Sequence, residues 1–138
     1  MLTRLAVVTI PVRDQDEALQ FYTEKLGLEK MDDMVFGEGN RWLTVTTSEQ
    51  KELQIFLMQA DGFGMNLTDQ VGRMPTWAFY TNDCHRTYET FSARGIKFVS
   101  PPQQQPWGIE AVFEDLYGNK FSVVQEVAAE TAPTEKSA

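Results

Sequence analysis

The chain is poor in the residues from which most catalytic centres are built. Its 138 residues include one cysteine, Cys84, and one histidine, His85. A lone cysteine excludes an internal disulfide and fits a reducing compartment, so the cytoplasm is the expected location. The two residues are adjacent, and on a helix neighbours point about 100° apart, which suits them poorly for chelating one ion. No serine sits in a nucleophile turn, so Ser/His/Asp catalysis is excluded. There is no Gly-rich phosphate loop and no basic–aromatic stripe for nucleic acid. No apolar run reaches the roughly eighteen residues of a membrane helix. The start, Met1-Leu2-Thr3-Arg4, leads into a strand-like stretch without signal-peptide architecture. Basic residues are also scarce, with 12 Lys and Arg against 20 Asp and Glu and a net charge of −8. Such a field repels phosphate backbones and anionic membranes and favours neutral or cationic small partners.

What the chain does have is a repeat. An apolar stretch, an Asp, an amphipathic helix and a closing Gly occur twice, as Val7–Asp14 … Leu26-Gly27 and Thr76–Asp83 … Arg94-Gly95. Asp14 and Asp83 are 69 positions apart, Gly27 and Gly95 68. With 42% apolar residues, one core is affordable, whereas two modules of roughly 60 residues would each be marginal alone. One domain over 1–126 is expected, with module one over 1–60, a connector over 61–73, module two over 74–126 and a disordered tail over 127–138.

Along the chain, Arg4–Val12 reads as a strand in which Pro11 marks an edge or bulge. Asp14-Gln15-Asp16-Glu17 reads as a capping box, Asp14 accepting from the third helical amide and Glu17 reaching back. Ala18, Leu19, Tyr22 and Leu26 form the apolar face of that helix, which ends at a left-handed Gly27. Thr44–Thr47 and Leu53–Gln59 read as strands about the turn Ser48–Lys51. Three glycines (Gly62, Gly64, Gly72) mark Ala60–Arg73 as connector, with a helical turn near Leu67–Val71. Asp83 caps a second helix with apolar face Cys84, Tyr88 and Phe91. Lys97–Ser100 is strand-like, Pro101–Pro106 reads as a stiff extended spacer, and Glu110–Glu114 pairs with Lys120–Gln125 about Asp115–Asn119.

These residues resemble the vicinal oxygen chelate superfamily, which includes glyoxalase I, bleomycin-resistance proteins and extradiol dioxygenases. The resemblance rests on Val12-Arg13-Asp14 … Phe21-Tyr22 … Leu26-Gly27, then Asn82-Asp83 … Ala93-Arg94-Gly95-Ile96, then Phe113–Asn119, and it spans about Leu5 to Gln125. It implies an α+β fold of two βαβββ modules in pseudo-twofold arrangement, forming a concave mixed sheet, and a homodimer. It also implies a divalent metal, with ligands at positions that fall on Val7, Phe56, Thr76 and Ser122. Val and Phe carry no donor, and neutral hydroxyls are poor ligands for zinc or iron. No metal and no other cofactor is therefore expected.

Strand alternation then sorts the side chains by face. Thr9, Gln54, Phe56, Thr76, Tyr80 and Ser122 share parity with the vacated ligand positions. Trp42 shares parity with Thr44, Trp107 follows the proline stretch as a loop aromatic, and Glu110 opens a strand beside it. This apolar and aromatic lining with a few polar groups suits a flat small molecule, aromatic or cationic, held in the cleft between the modules. The expected function is metal-independent binding of a small organic molecule. The alternatives are a glyoxalase- or dioxygenase-like metalloenzyme using unusual donors such as Gln54 and Glu110, or a scaffold whose cleft serves only dimerisation.

Overall fold

In the computed structural model, which describes residues 1–127, the alternating strands and capped helices assemble into two copies of one βαβββ module. The first comprises β1 (Val7–Val12), α1 (Gln15–Gln20) continuing through a π turn over Phe21–Lys25, β2 (Glu29–Phe36), β3 (Asn40–Thr47) and β4 (Gln50–Gln59). Its sheet order is β1-β4-β3-β2, with β1 parallel to β4 and the other pairs antiparallel. The second comprises β5 (Trp77–Tyr80), α2 (Cys84–Ala93), β6 (Phe98–Gln105), β7 (Gly108–Glu114) and β8 (Lys120–Glu126), in the matching order β5-β8-β7-β6. The class is α+β. One compact unit takes Met1–Met74 with Leu116–Asn119, and the other takes, among the described residues, Pro75–Asp115 with 120–127. The tail expected to be disordered lies, from residue 128, outside the described residues.

In the first unit, Tyr22 and Ala18 are wholly buried, as are Ile10, Val12, Leu43, Val45 and Leu57 of the sheet. Burying a side chain of this size contributes about 1.5–3 kcal/mol. Gln15 is also buried, and its amide donates to the carbonyls of Leu57 (2.8 Å) and Arg41 (3.0 Å). Gly27 has φ 79° and lets Leu28 N–H bond back to Tyr22 C=O at 3.0 Å, which closes the helix.

The capping box departs from expectation in one partner. Asp14 Oδ1 accepts from Glu17 N–H at 3.0 Å, but Glu17 does not reach back to the Asp14 amide. Tyr117 intervenes: its hydroxyl accepts from Asp14 N–H (3.1 Å) and lies 3.1 Å from Glu17 Oε1. The Arg13 guanidinium sits 4.8 Å from the centre of the Tyr117 ring. Burial, the Glu17 hydrogen bond and the charges of Glu17 and Asp14 push the Tyr117 phenol up to about 12, against a lowering backbone bond to Asp14. Its folded value lies above its unfolded one near 10.0, so its contribution is complete below the unfolded value and is lost as pH rises through the folded one. Urea midpoints across alkaline pH should therefore hold steady to about 10 and fall toward about 12, and Tyr117→Phe should flatten that fall.

In the second unit, Asp83 Oδ1 accepts from Arg86 N–H at 3.0 Å as the cap of α2, and Gly95 has φ 85°. Phe91 on α2 meets Phe113 edge-on at 5.6 Å, and Phe113 stacks on Phe121 at 5.6 Å, so these strand residues face the helix. Trp77 and Phe79 join the same layer through Phe121.

Three expectations are corrected, and one strand, β2, is added to them. β1 begins at Val7; Arg4–Ala6 are exposed, with only the Ala6 carbonyl bonded to the sheet, by Gln54 N–H at 2.9 Å. β4 begins at Gln50, so the hairpin turn shortens to Ser48-Glu49. β2 was not legible as a strand: Asp32, Asp33 and Lys30 break its alternation, yet those charges serve its neighbour β3. Asp33 takes a two-pronged bond from Arg41 (2.8 and 2.9 Å), and Asp32 accepts from Trp42 Nε1 at 3.2 Å. The Arg41 hydrogen bond is also what holds the Asp33 carboxyl below its ordinary range, against a smaller opposing effect of burial. Finally, Pro101–Gln105 is strand rather than spacer. Ser100 pairs with Val112 and Gln103 with Glu110, so Pro101 and Pro102 together oppose Ala111 alone. They form a bulge on an edge strand, where a missing N–H is tolerated.

Candidate functional site

The second unit carries a cavity of about 450 Å³, lined by Ala78, Tyr80, Trp107, Glu110, Val124 and Glu126. Register explains the grouping. Val124 on the central strand β8 pairs with Tyr80 on one side and Glu110 on the other, so all three share a face. One row behind stand Ala78, Ser122 and Val112; one row ahead, Glu126 pairs with Gly108. This face is opposite the Phe113–Phe121 layer that meets α2.

Trp107 reaches the cavity from a two-residue turn, Pro106-Trp107, that joins Gln105 to Gly108. Gly108 makes the turn work. It has φ 141°, and a Cβ there would overlap the Gln125 carbonyl oxygen. Only glycine lets β7 start this close to β8. Tyr80 is 74% exposed and Trp107 53%. Both aromatic side chains are thus open to solvent where they line the cavity.

The predicted residues divide between the units. Tyr80, Trp107 and Glu110 line the cavity together. Ser122 lies on the same face, buried, in register with Ala78. Thr76 does not join them: it is exposed and precedes β5 by one residue. In the first unit, Thr9 and Thr44 both pair with Phe56, and Gln54 pairs with Val7 two positions back. Trp42 packs on Phe56 at 4.3 Å, and Phe63 meets Phe56 edge-on at 5.7 Å. Thr44 Oγ1 donates to Gln54 Oε1 at 2.7 Å, which engages the oxygen expected as an unusual metal donor. The sequence reading missed Phe63 and Glu126. Phe63 holds φ 54° between two glycines, fixed by its N–H on Asn40 Oδ1 at 2.8 Å. The Gly-Phe-Gly spacing was its signal; Glu126 had none beyond its parity with Val124.

The residues present do not fit a metal of the family's kind. Val7 and Phe56 offer no donor atom, and Thr76 and Ser122 offer only hydroxyls. Among the described residues, no three His, Cys, Asp or Glu side chains gather where they could hold an ion. His85 is exposed on the first turn of α2. Cys84 is buried, with Sγ 3.6 Å from the Val123 carbonyl. Burial, with the charges of Asp83 and Glu110, pushes its thiol up against the Ala111 backbone bond, opposite to what a thiolate nucleophile needs. No helix among the described residues is long and apolar enough to cross a membrane.

Two βαβββ modules, each with a four-stranded mixed sheet, define a class, and comparison with known proteins gives the family. The family model of the Glyoxalase/Bleomycin resistance protein/Dioxygenase superfamily matches residues 4–123. The chain belongs to that superfamily. A protein of Shewanella frigidimarina, described only as uncharacterized, is 35% identical over 121 residues, covering 86% of this chain and 90% of its own. The crystal structure of UcmS2 shares 38% identity with a TM-score of 0.84, covering 91% of this chain and all of the other. TnmS3, described as an antibiotic binding protein from Streptomyces sp. CB03234, shares 25% identity with a TM-score of 0.78, over 91% of this chain and 98% of its own.

Proposed function

We propose that this protein binds a small organic molecule with a flat, partly apolar body, against the Tyr80–Trp107 face of the second module and without a metal ion. The observation that carries the reading is the cavity itself, whose lining combines the apolar Ala78 and Val124, the aromatic Tyr80 and Trp107, and the carboxylates of Glu110 and Glu126. Its volume falls in the range of small-molecule pockets, roughly 300–1,000 Å³. Stacking on an aromatic wall is worth about 0.5–1.5 kcal/mol per ring beyond the area buried. Kinship to TnmS3 supports a small organic ligand in the same sense. The homodimer implied by the family resemblance belongs to this reading.

Proflavine, a planar tricyclic, serves as the test probe, titrated calorimetrically into the full chain before and after exhaustive chelation. Affinity should survive chelation and drop roughly five- to thirtyfold in Trp107→Ala, the loss of about 1–2 kcal/mol expected for one aromatic contact. Binding that vanishes with chelation would restore the metalloenzyme alternative. Binding indifferent to Trp107 would place the ligand elsewhere. Sedimentation velocity on the same sample reads the subunit number, and a monomer would remove the homodimer from the reading.

A further inference from the structure

We infer that Ala78 decides how long a molecule the cavity accepts, by leaving open the row of the sheet farthest from the Trp107 turn. This rests on the reading that the Tyr80–Trp107 face binds a flat molecule, and it adds the residue that sets the length of that molecule. The lining residues fall on three successive rows: Ala78 on the first, Tyr80, Val124 and Glu110 on the second, Glu126 on the third, where its partner Gly108 brings in Trp107. Residues two apart on a strand lie ~6.6 Å apart, so the three rows reach ~13 Å. A body of two fused rings is served by the second and third rows alone. A third ring laid along the strands must pass over Ala78.

Strand formation does not account for an alanine at this place. β5 reads Trp77-Ala78-Phe79-Tyr80, three aromatic residues of high strand preference and one residue of low preference. Trp77 and Phe79 turn to Phe121 in the helix-facing layer, and Tyr80 lines the cavity. Core packing does not account for it either, since Ala78 is exposed on an edge strand. What the small side chain provides is room on the cavity face. The first module holds a filled counterpart of the same place. Thr9 lies 69 positions before Ala78, the spacing of the two Asp caps, and pairs with Phe56 as Ala78 pairs with Ser122. There Phe56 collects Trp42 at 4.3 Å and Phe63 at 5.7 Å, so three of the chain's own rings take up the face. The Ala78–Ser122 pair carries no ring, and the second module keeps its cavity.

The experiment compares two probes of equal charge on the full chain at neutral pH by calorimetry: proflavine, with three fused rings, and 4-aminoquinoline, with two. The wild type should bind proflavine roughly tenfold tighter, the share of the third ring. Ala78→Ile sets a stiff, branched side chain of high strand preference on the same face without adding a ring that could stack. It should weaken proflavine about tenfold and 4-aminoquinoline less than about twofold, so that the two probes become nearly equal. Ala78→Thr, which copies Thr9 of the first module, should shift the same ratio in the same direction by less. An isoleucine variant that weakens both probes alike, or neither, overturns the inference. So does a wild type that binds the two equally. In each case the stacking reading stands if Trp107→Ala still weakens proflavine. If neither probe binds the wild type, or if Trp107→Ala changes nothing, both fall together. Should the isoleucine variant fail to fold, the threonine variant decides: an unchanged ratio of the two affinities overturns the inference.

Discussion

Gly108→Ala should lower the melting temperature by roughly 10 °C and abolish proflavine binding at the Trp107 face, a large effect for a single methyl group. The added Cβ would overlap the Gln125 carbonyl oxygen and press within 3.0 Å of its carbon and 3.2 Å of Glu126 Cα. All three are backbone atoms of the central strand, so no side chain can swing aside. The hairpin must instead open, at a cost on the order of 3 kcal/mol, and Trp107 moves with it. Gly39→Ala is the matched control. Gly39 has φ 84° but nothing within 4 Å of its added Cβ, so it should show conformational strain alone, about 1 kcal/mol. Differential scanning calorimetry of the two variants separates overlap from strain. Equal shifts would mean that the close approach of β7 to β8 is not what glycine is there to allow.

Gly72→Ala should be comparably damaging, for a related reason in the first unit. Gly72 has φ 77°, and its Cβ would overlap the Tyr117 carbonyl oxygen and lie 3.1 Å from the carbonyl carbon. Beside it, Asn119 Oδ1 accepts from Met74 N–H at 3.1 Å, which holds the same turn against the connector. Displacing Tyr117 removes the partner of the Asp14 amide and of the Glu17 carboxylate, so the Asp14–Glu17 cap of α1 loses its surrounding support along with local packing. A loss of about 3 kcal/mol in urea unfolding is expected. The alkaline fall in stability assigned to Tyr117 should vanish in the same variant. A Gly72→Ala protein that keeps that fall would show that the phenol is seated independently of this contact.

How much of this was legible in the sequence follows from the range of the forces involved. The two caps were, because an Asp three residues before the amide it accepts from is a local arrangement. Within a strand, face assignment was too, as for Thr9 and for Phe56 by a period of two, whereas Glu110 joined Tyr80 only through its register with Val124. What escaped depended on partners distant in the chain. β2 looks like a charged loop until Arg41 and Trp42 are brought alongside Asp33 and Asp32. Pro101 and Pro102 read as a spacer because a bulge is visible only when Ala111 is set opposite. Tyr117 completes a cap 103 positions away, and no local pattern announces that. The candidate site divides along the same line. Trp107 was singled out as a loop aromatic, whereas Glu126 gained meaning only from pairing with Gly108.

The distant cap also bears on the order in which the molecule is made. A nascent chain that has reached Met74 holds every strand and helix of its first module, yet lacks the four residues, Leu116–Asn119, that finish it. The first turn of α1 has its local cap from Asp14 at once, but the Asp14 amide meets its Tyr117 partner only through chain synthesised about a hundred residues later, a closure of high sequence separation. Duplicated modules invite the idea of two independent folding pieces. In this chain the earlier piece is completed by four residues of the later half.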